Sequence, residues 1–393
     1  MSALMNIYAR LPIAISHGEG SWLWDDQGRR FLDGFGGIAV TALGHAHPRI
    51  ARAIAEQAGQ LMHTSNALHI PLQQQAGDAL CEIAAMDAAI FCNSGAEANE
   101  AALKIARLHA RKRGIDAPRI LVMHNSFHGR TLATLSATGS EKVQAGFGPL
   151  VPGFIHVPFD DLDAIDDAAR NHDNIVAVLV EPIQGEGGIC PPSEGYLRGL
   201  RARCDAHDWL LMFDEIQCGM GRTGRWFAHQ HAGIQPDVMS VAKALGNGFP
   251  VGACLARGDA ATLMQPGNHG TTYGGNPLAS RVVLEVIAVM REDHLLERAA
   301  VLGAMLSTAL REQLNGIASF VEVRGQGLMI GVAFDRDPTP VRDAAVEEGL
   351  LLVPAGQNTL RLLPAYTLSD EDALDIAARL CRAAKRAHGA EAA

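Results

Sequence analysis

Between residues 88 and 251, six short apolar runs alternate with longer amphipathic stretches, and this alternation limits the fold more than any other feature of the chain. The runs lie at 89–92, 120–123, 154–157, 176–180, 210–213 and 238–241. Amphipathic segments such as 162–170 and 196–207 separate several of them. Near-continuous apolar strands spaced by helices predict an α/β fold with a mainly parallel sheet covered on both faces. In such sheets ligands bind beyond the carboxyl ends of the strands. The residues that carry chemistry should therefore follow the runs directly.

After the first run comes Asn93-Ser94-Gly95-Ala96, opening a long helix to about Arg113. Free N–H groups at a helix start suit a phosphate. The same residues also read as a simple N-cap by Ser94 or Asn93. The second run leads into a loop with Phe127 and Arg130. An arginine fork is the natural clamp for a carboxylate, although Phe127 reads equally as core and Arg130 as a solvated charge. Residues 181–188 set Glu181 and Glu186 among glycines, as in a loop whose backbone approaches something closely. Asp214 ends a buried run, which is costly unless the carboxylate is paired, and a cationic ring nitrogen would pair it well. Lys243 follows the last run, at the head of a glycine-rich turn and with few charged neighbours in sequence. Partial desolvation should lower its pKa and prepare it as a nucleophile, the alternative being a surface lysine at a strand end.

Other signals exclude more than they suggest. Gly219-Met220-Gly221-Arg222-Thr223-Gly224 matches a dinucleotide fingerprint, but no helix pattern follows it and the expected acid is missing. His45 and His47 form a His-x-His pair with no third ligand nearby, so no metal is expected. Seven widely spaced cysteines form no Cys-x-x-Cys pair, which argues against a disulfide framework and for a reducing cytoplasm. A net charge of −10 argues against nucleic acid as the partner. No apolar run is long enough to span a membrane, and residues 1–10 lack a signal-peptide layout.

The first fifty residues read as a β-rich lead-in, with two strands around a turn at Asp26-Gln27-Gly28, then a helix over 48–62. Asn276 and Pro277 open a helix through about Met290, with helical pattern on to Leu314. Strands are expected at 320–324, 327–334, around Val353 and at 360–363, with helices near 341–348 and from Ser369. Residues 387–393 are expected to fray. The expected division is 1–50 in a small domain, 51–276 in a large cofactor-binding domain, and 277–393 completing the small α+β domain.

A lysine at a strand end, an aspartate on a neighbouring strand, a phosphate cup and an aromatic loop together describe a site for pyridoxal 5′-phosphate. The chain also resembles the class III (omega) aminotransferases of fold type I, through residues 93–99, 126–131, 181–188, 213–224, 242–250 and 269–277 in that order. The resemblance implies a seven-stranded large-domain sheet and a small domain built from both termini. It implies Lys243 as the Schiff-base lysine and proton carrier, and Asp214 as partner of the pyridinium. Gln217 would contact the phenolic side of the ring, and Phe127 would stack on it. Ser94, Gly95 and Ala96 would cup the phosphate, and Thr272 would reach the phosphate of a partner subunit in a homodimer. Arg130 and Arg361 would bind substrate carboxylates, with Glu186 masking Arg361 and Thr271 at the entrance. Ala96 departs from the threonine usual in the family, removing a hydroxyl contact worth roughly 1.5–3 kcal/mol. The implied reaction moves the terminal amine of N2-acetylornithine to 2-oxoglutarate by a ping-pong route. Ornithine, succinylornithine, N-succinyl-diaminopimelate and 4-aminobutyrate are alternative donors. The early loop Gly36-Gly37-Ile38, which lacks an aromatic, favours an acylated one. A distant alternative is a binding protein that keeps the fold without the chemistry.

Overall fold

All six apolar runs form strands of one seven-stranded sheet, in a computed structural model that describes residues 3–389. Across the sheet the order is Ala88–Cys92, Gly252–Ala256, Val238–Val241, Leu210–Asp214, Ile175–Val180, Arg119–Met123 and Phe154–Val157. The Gly252–Ala256 strand runs antiparallel to both neighbours, and every other adjacent pair is parallel. Every residue of Ile175–Val180 and Leu210–Asp214 is buried, because helices cover both faces. The central core joins Leu121, Val178, Leu211, Phe213 and Met239.

The two ends of the chain meet in a second, four-stranded sheet. Ile15–Glu19, Trp22–Asp25 and Arg30–Asp33 form an antiparallel meander, and Leu350–Leu351 adds in parallel to Arg30–Asp33. A third sheet orders Phe320–Gln326, Met329–Phe334, Thr359–Leu362 and Val353–Ala355, all antiparallel. Helices Leu295–Leu314, Thr339–Glu347 and Asp370–His388 pack beside it. The helix Pro277–Glu292 packs on Pro48–Gln60 and Pro71–Ala84.

Several boundaries differ from the sequence reading. The helical pattern expected to run on to Leu314 breaks at Asp293 and His294, where His294 takes a positive φ of 52°. The strand expected from Gly327 starts at Met329, because Gly327 (φ 56°) turns the hairpin. Ala387 and His388 are helical rather than frayed, and residues 390–393 lie outside those described. The Gly219–Gly224 segment is a packing turn. Its Arg222 is fully buried, donates to the carbonyls of Leu328 (3.2 Å) and Pro364 (2.6 Å), and stacks on Tyr366. His45 of the His-x-His pair bonds through Nε2 to Asp33 at 2.7 Å.

Candidate active site

Five strand ends converge on one cavity of about 370 Å³. Its wall includes Asn93 to Ala96, Phe127 to Arg130, Glu181, Asp214, Gln217 and Lys243. These residues follow the runs that end at Cys92, Met123, Val180, Asp214 and Val241, as the strand-end rule requires.

Ser94 caps the helix Gly95–Lys112, its Oγ accepting from the Glu97 N–H at 3.2 Å. Glu97 returns the contact to the Asn93 N–H at 2.6 Å. This cap leaves the N–H groups of Gly95 and Ala96 open toward the cavity, so cap and anion cradle coexist. A Cβ at Gly95 would meet Ile216 at 2.8 Å, so a side chain there would close the cradle.

Asp214 is buried and fully engaged. Its Oδ2 accepts from Asn99 Nδ2 and bonds His128 Nδ1, both at 2.8 Å, and Oδ1 accepts from the Ile216 N–H at 3.1 Å. Asn99 also donates to the His128 carbonyl (2.8 Å), and the His128 N–H donates to Thr138 Oγ1 (2.9 Å). The carboxylate is thus locked in one orientation by three elements. Lys243 sits in a short 3₁₀ turn with a positive φ of 50°, a conformation that costs a non-glycine residue of order 1–3 kcal/mol. Burial holds its amine below the ordinary value. Arg361 adds to this, while Asp214, Glu181 and Glu186 oppose it. Sequence alone suggested few charged neighbours; the fold supplies four.

Glu181 is buried, accepting from the N–H groups of Phe127 (3.2 Å) and Gly185 (3.1 Å). Burial is the largest influence and pushes its carboxyl up from 4.5 to about 7, with Asp214 adding to the rise and His128 opposing it. The folded protein therefore keeps this proton while the unfolded chain loses it. Stability should fall as pH rises from about 4.5 to about 7. Glu181→Gln is expected to flatten that part of the profile, read as denaturation midpoint against pH. Equal slopes in the two proteins would remove Glu181 as the cause.

Arg361 is nearly completely buried in the Thr359–Leu362 strand. Its Nη1 donates to Glu186 Oε2 at 2.8 Å and to Gln217 Oε1 at 3.2 Å, and Nε has no partner. Arg130 is exposed at the cavity rim, its guanidinium 5.5 Å from the Phe127 ring centre. Thr271 and Thr272 lie outside the cavity of their own chain, and Thr272 is exposed.

The family model for class III aminotransferases matches residues 5–384. The chain belongs to that family. A class III relative named acetylornithine aminotransferase, from Nitrosomonas europaea, is 48% identical over 95% of both chains. Acetylornithine aminotransferase 1 of Bordetella bronchiseptica is 50% identical, again over 95% of both. Among solved structures, the ornithine aminotransferase of Toxoplasma gondii superposes with a TM-score of 0.95 at 35% identity, covering 98% of this chain and 92% of that one. That structure has partial occupancy of PLP at its active site.

Class III aminotransferases depend on pyridoxal phosphate, and the cavity fits it. It offers an open anion cradle at Gly95 and Ala96, a buried carboxylate with no permanent cation bonded to it, and an amine of lowered pKa. Among the described residues no group of three or more His, Cys, Asp or Glu is arranged to hold a metal. Sequence reasoning passed over Asn99, His128 and Glu181 as site residues. All three lie inside motifs it had singled out, and the cost of burying Asp214 was the signal that partners were needed.

Proposed function

We propose that this aminotransferase takes the terminal amine of N2-acetylornithine and delivers it to 2-oxoglutarate. The observation that carries the reading is the pair of carboxylate anchors, Arg130 at the rim and the masked Arg361 behind Gln217. Identities of 48–50% with proteins named acetylornithine aminotransferase support the donor.

Bound pyridoxal phosphate supplies an aldehyde that accepts the amine and a ring that takes up electrons. Gly95 and Ala96 would receive the phosphate, with Ser94 fixing the helix start. Phe127 would stack on the ring. Asp214 would keep a proton on the ring nitrogen, and Asn99 and His128 hold its carboxylate in place. Gln217, bonded to Arg361 at 3.2 Å, would contact the phenolic side of the ring. Lys243 Nζ, its amine held below the ordinary value by burial, would move the proton at the amine-bearing carbon. Arg130 takes the α-carboxylate of the donor. Glu186 neutralises Arg361 while the donor's amine end occupies the pocket, and moves aside when the α-carboxylate of 2-oxoglutarate arrives. Thr272 belongs to the cradle of a second subunit, with Thr271 beside that entrance, so the working unit is a homodimer. Its exposure outside its own cavity supports this. A cytoplasmic location is part of the same reading, since seven free thiols suit a reducing compartment.

One observation favours free ornithine as donor: the close superposition on the Toxoplasma enzyme. The segment Gly36-Gly37-Ile38-Ala39, all at positive φ, leads into Val40 on the cavity wall and brings no aromatic there. That leaves room for an acyl group. The test is single-turnover conversion of the loaded enzyme. N2-acetylornithine is expected to react at least about tenfold faster than ornithine, a difference of roughly 1.4 kcal/mol. Faster reaction with ornithine would overturn the donor assignment.

A further inference from the structure

Glu186 and Arg361 come from different sheets. Arg361 lies in the third sheet, and Glu186 lies in the loop after the large-sheet strand Ile175–Val180. That loop contains Gly185, Gly187 and Gly188, and glycines leave a chain loose unless it is tied. Its ties are few. Gln184 and Cys190 exchange backbone bonds at 3.0 and 2.9 Å, and the Gly356 N–H donates to the Glu186 carbonyl at 2.7 Å.

A single guanidinium also ties this loop's carbonyls to the third sheet. Arg324 Nη2 donates to the Gly188 carbonyl at 2.8 Å and to Thr359 Oγ1 at 3.0 Å. Its Nε donates to the carbonyls of Gly188 (3.1 Å) and Ile189 (3.0 Å). Nη1 is held by Glu322 at 2.7 Å. Arg324 therefore joins the loop that carries Glu186 to the strand that carries Arg361.

Strand register makes this a built arrangement. Arg324 pairs with Gly331, and Gly331 pairs with Arg361, so the three form one row across adjacent strands. A Cβ at the middle position would meet Ile189 Cβ at 2.9 Å and the Gly188 carbonyl at 3.2 Å. The glycine lets the loop lie against the sheet, with one arginine gripping its carbonyls and the other its carboxylate.

We propose that Arg324 is a positioning residue that sets the Glu186–Arg361 ion pair and thereby the balance between the two substrates. The proposal rests on the roles given above to Arg361 and Glu186. The amine donor needs Arg361 masked, because a buried cation facing its uncharged or cationic end is uncompensated. The dicarboxylic acceptor needs Arg361 free. Loosening the loop leaves Glu186 on Arg361 for less of the time, so it weakens the donor half-reaction and eases binding of a dicarboxylate.

The experiment uses the loaded enzyme and Arg324→Met, which keeps an apolar stem and removes every donor. Two readouts are taken: single-turnover kcat/KM for each half-reaction, and the Kd of glutarate, an unreactive five-carbon dicarboxylate, by calorimetry. Expected are a roughly tenfold fall for the donor, an acceptor rate within about twofold, and tighter glutarate binding by a few fold. Arg324→Lys retains one donor, should fall between, and serves if the methionine variant fails to fold. Equal losses in both half-reactions with glutarate binding unchanged or weaker would reduce Arg324 to a structural part and overturn the proposal. No change in either readout would overturn it too. Arg361→Met, run in parallel, tests the reading beneath. Loss of glutarate binding there supports it, and unchanged binding overturns that reading together with this one.

Discussion

Lys243→Ala is expected to lower kcat by about ten-thousandfold or more, since the side chain serves both as the amine that holds the cofactor and as the base, and positioned acid–base catalysis alone contributes about 10²–10⁴-fold. The geometry makes Lys243 hard to replace. It lines the same cavity as Asp214, and burial keeps its amine below the ordinary value. No neighbour can substitute. Glu181 is held by two backbone N–H groups, Arg130 cannot give up its proton, and His128 is committed to Asp214. Borohydride reduction followed by peptide mass spectrometry should attach the cofactor's mass at Lys243 in the parent and nowhere in the variant. The backbone adds a second, independent expectation. With φ at 50°, glycine suits this position better than any side chain, so Lys243→Gly should be more stable than Lys243→Ala by about 1–2 kcal/mol. Turnover by Lys243→Ala within a hundredfold of the parent would remove Lys243 from the chemistry.

The sequence made the large sheet legible because its strands are mostly apolar runs, and the inner ones, such as Ile175–Val180 and Leu210–Asp214, are buried at every residue, as covering on both faces demands. It made Lys243 and Asp214 legible for a related reason. A charged residue directly after such a run has nowhere to go but the sheet's edge. The partners of Asp214 were harder to read. Asn99 and His128 lie 115 and 86 residues before it, and only strand order brings them together. The Arg324–Gly331–Arg361 row was hidden in the same way. Register between adjacent strands decides which side chains share a row, and the one charge beside Arg324 in sequence, Glu322, gives no hint of the carbonyls that the guanidinium bonds. The left-handed backbone at Lys243 was invisible as well, because nothing in the residue type signals it. The Gly219–Gly224 motif failed in the opposite direction. It matches a ligand-binding pattern, yet its arginine closes a seam between the large sheet and the C-terminal strands.

The second large effect is expected at Asp214, and here the substitution can be conservative in shape. Asp214→Asn keeps the volume and removes the charge. Three donors point at this carboxylate, two at Oδ2 and one at Oδ1. An asparagine must turn its NH₂ toward one side, so either Ile216 or the Asn99–His128 pair faces a donor. His128 can relieve the second case by moving its proton to Nε2, which has no partner in the folded chain. The fold therefore tolerates the change at the cost of about one buried hydrogen bond, roughly 1–3 kcal/mol. The chemistry does not tolerate it. A ring nitrogen facing an amide instead of a carboxylate gives up its proton, and the ring no longer draws electrons from the reacting carbon. Removing one partner of a buried ion pair costs about 3–5 kcal/mol, which corresponds to a fall in kcat/KM of roughly a hundredfold to a few thousandfold. Both half-reactions should fall together, since both pass through the same ring, whereas Arg324→Met should divide them. Single-turnover rates for the two substrates make the comparison. A variant that keeps its thermal midpoint within a few degrees yet loses both half-reactions supports a charge on the ring nitrogen. Rates within tenfold of the parent would mean that Asp214 serves the Asn99–His128 network and not the cofactor.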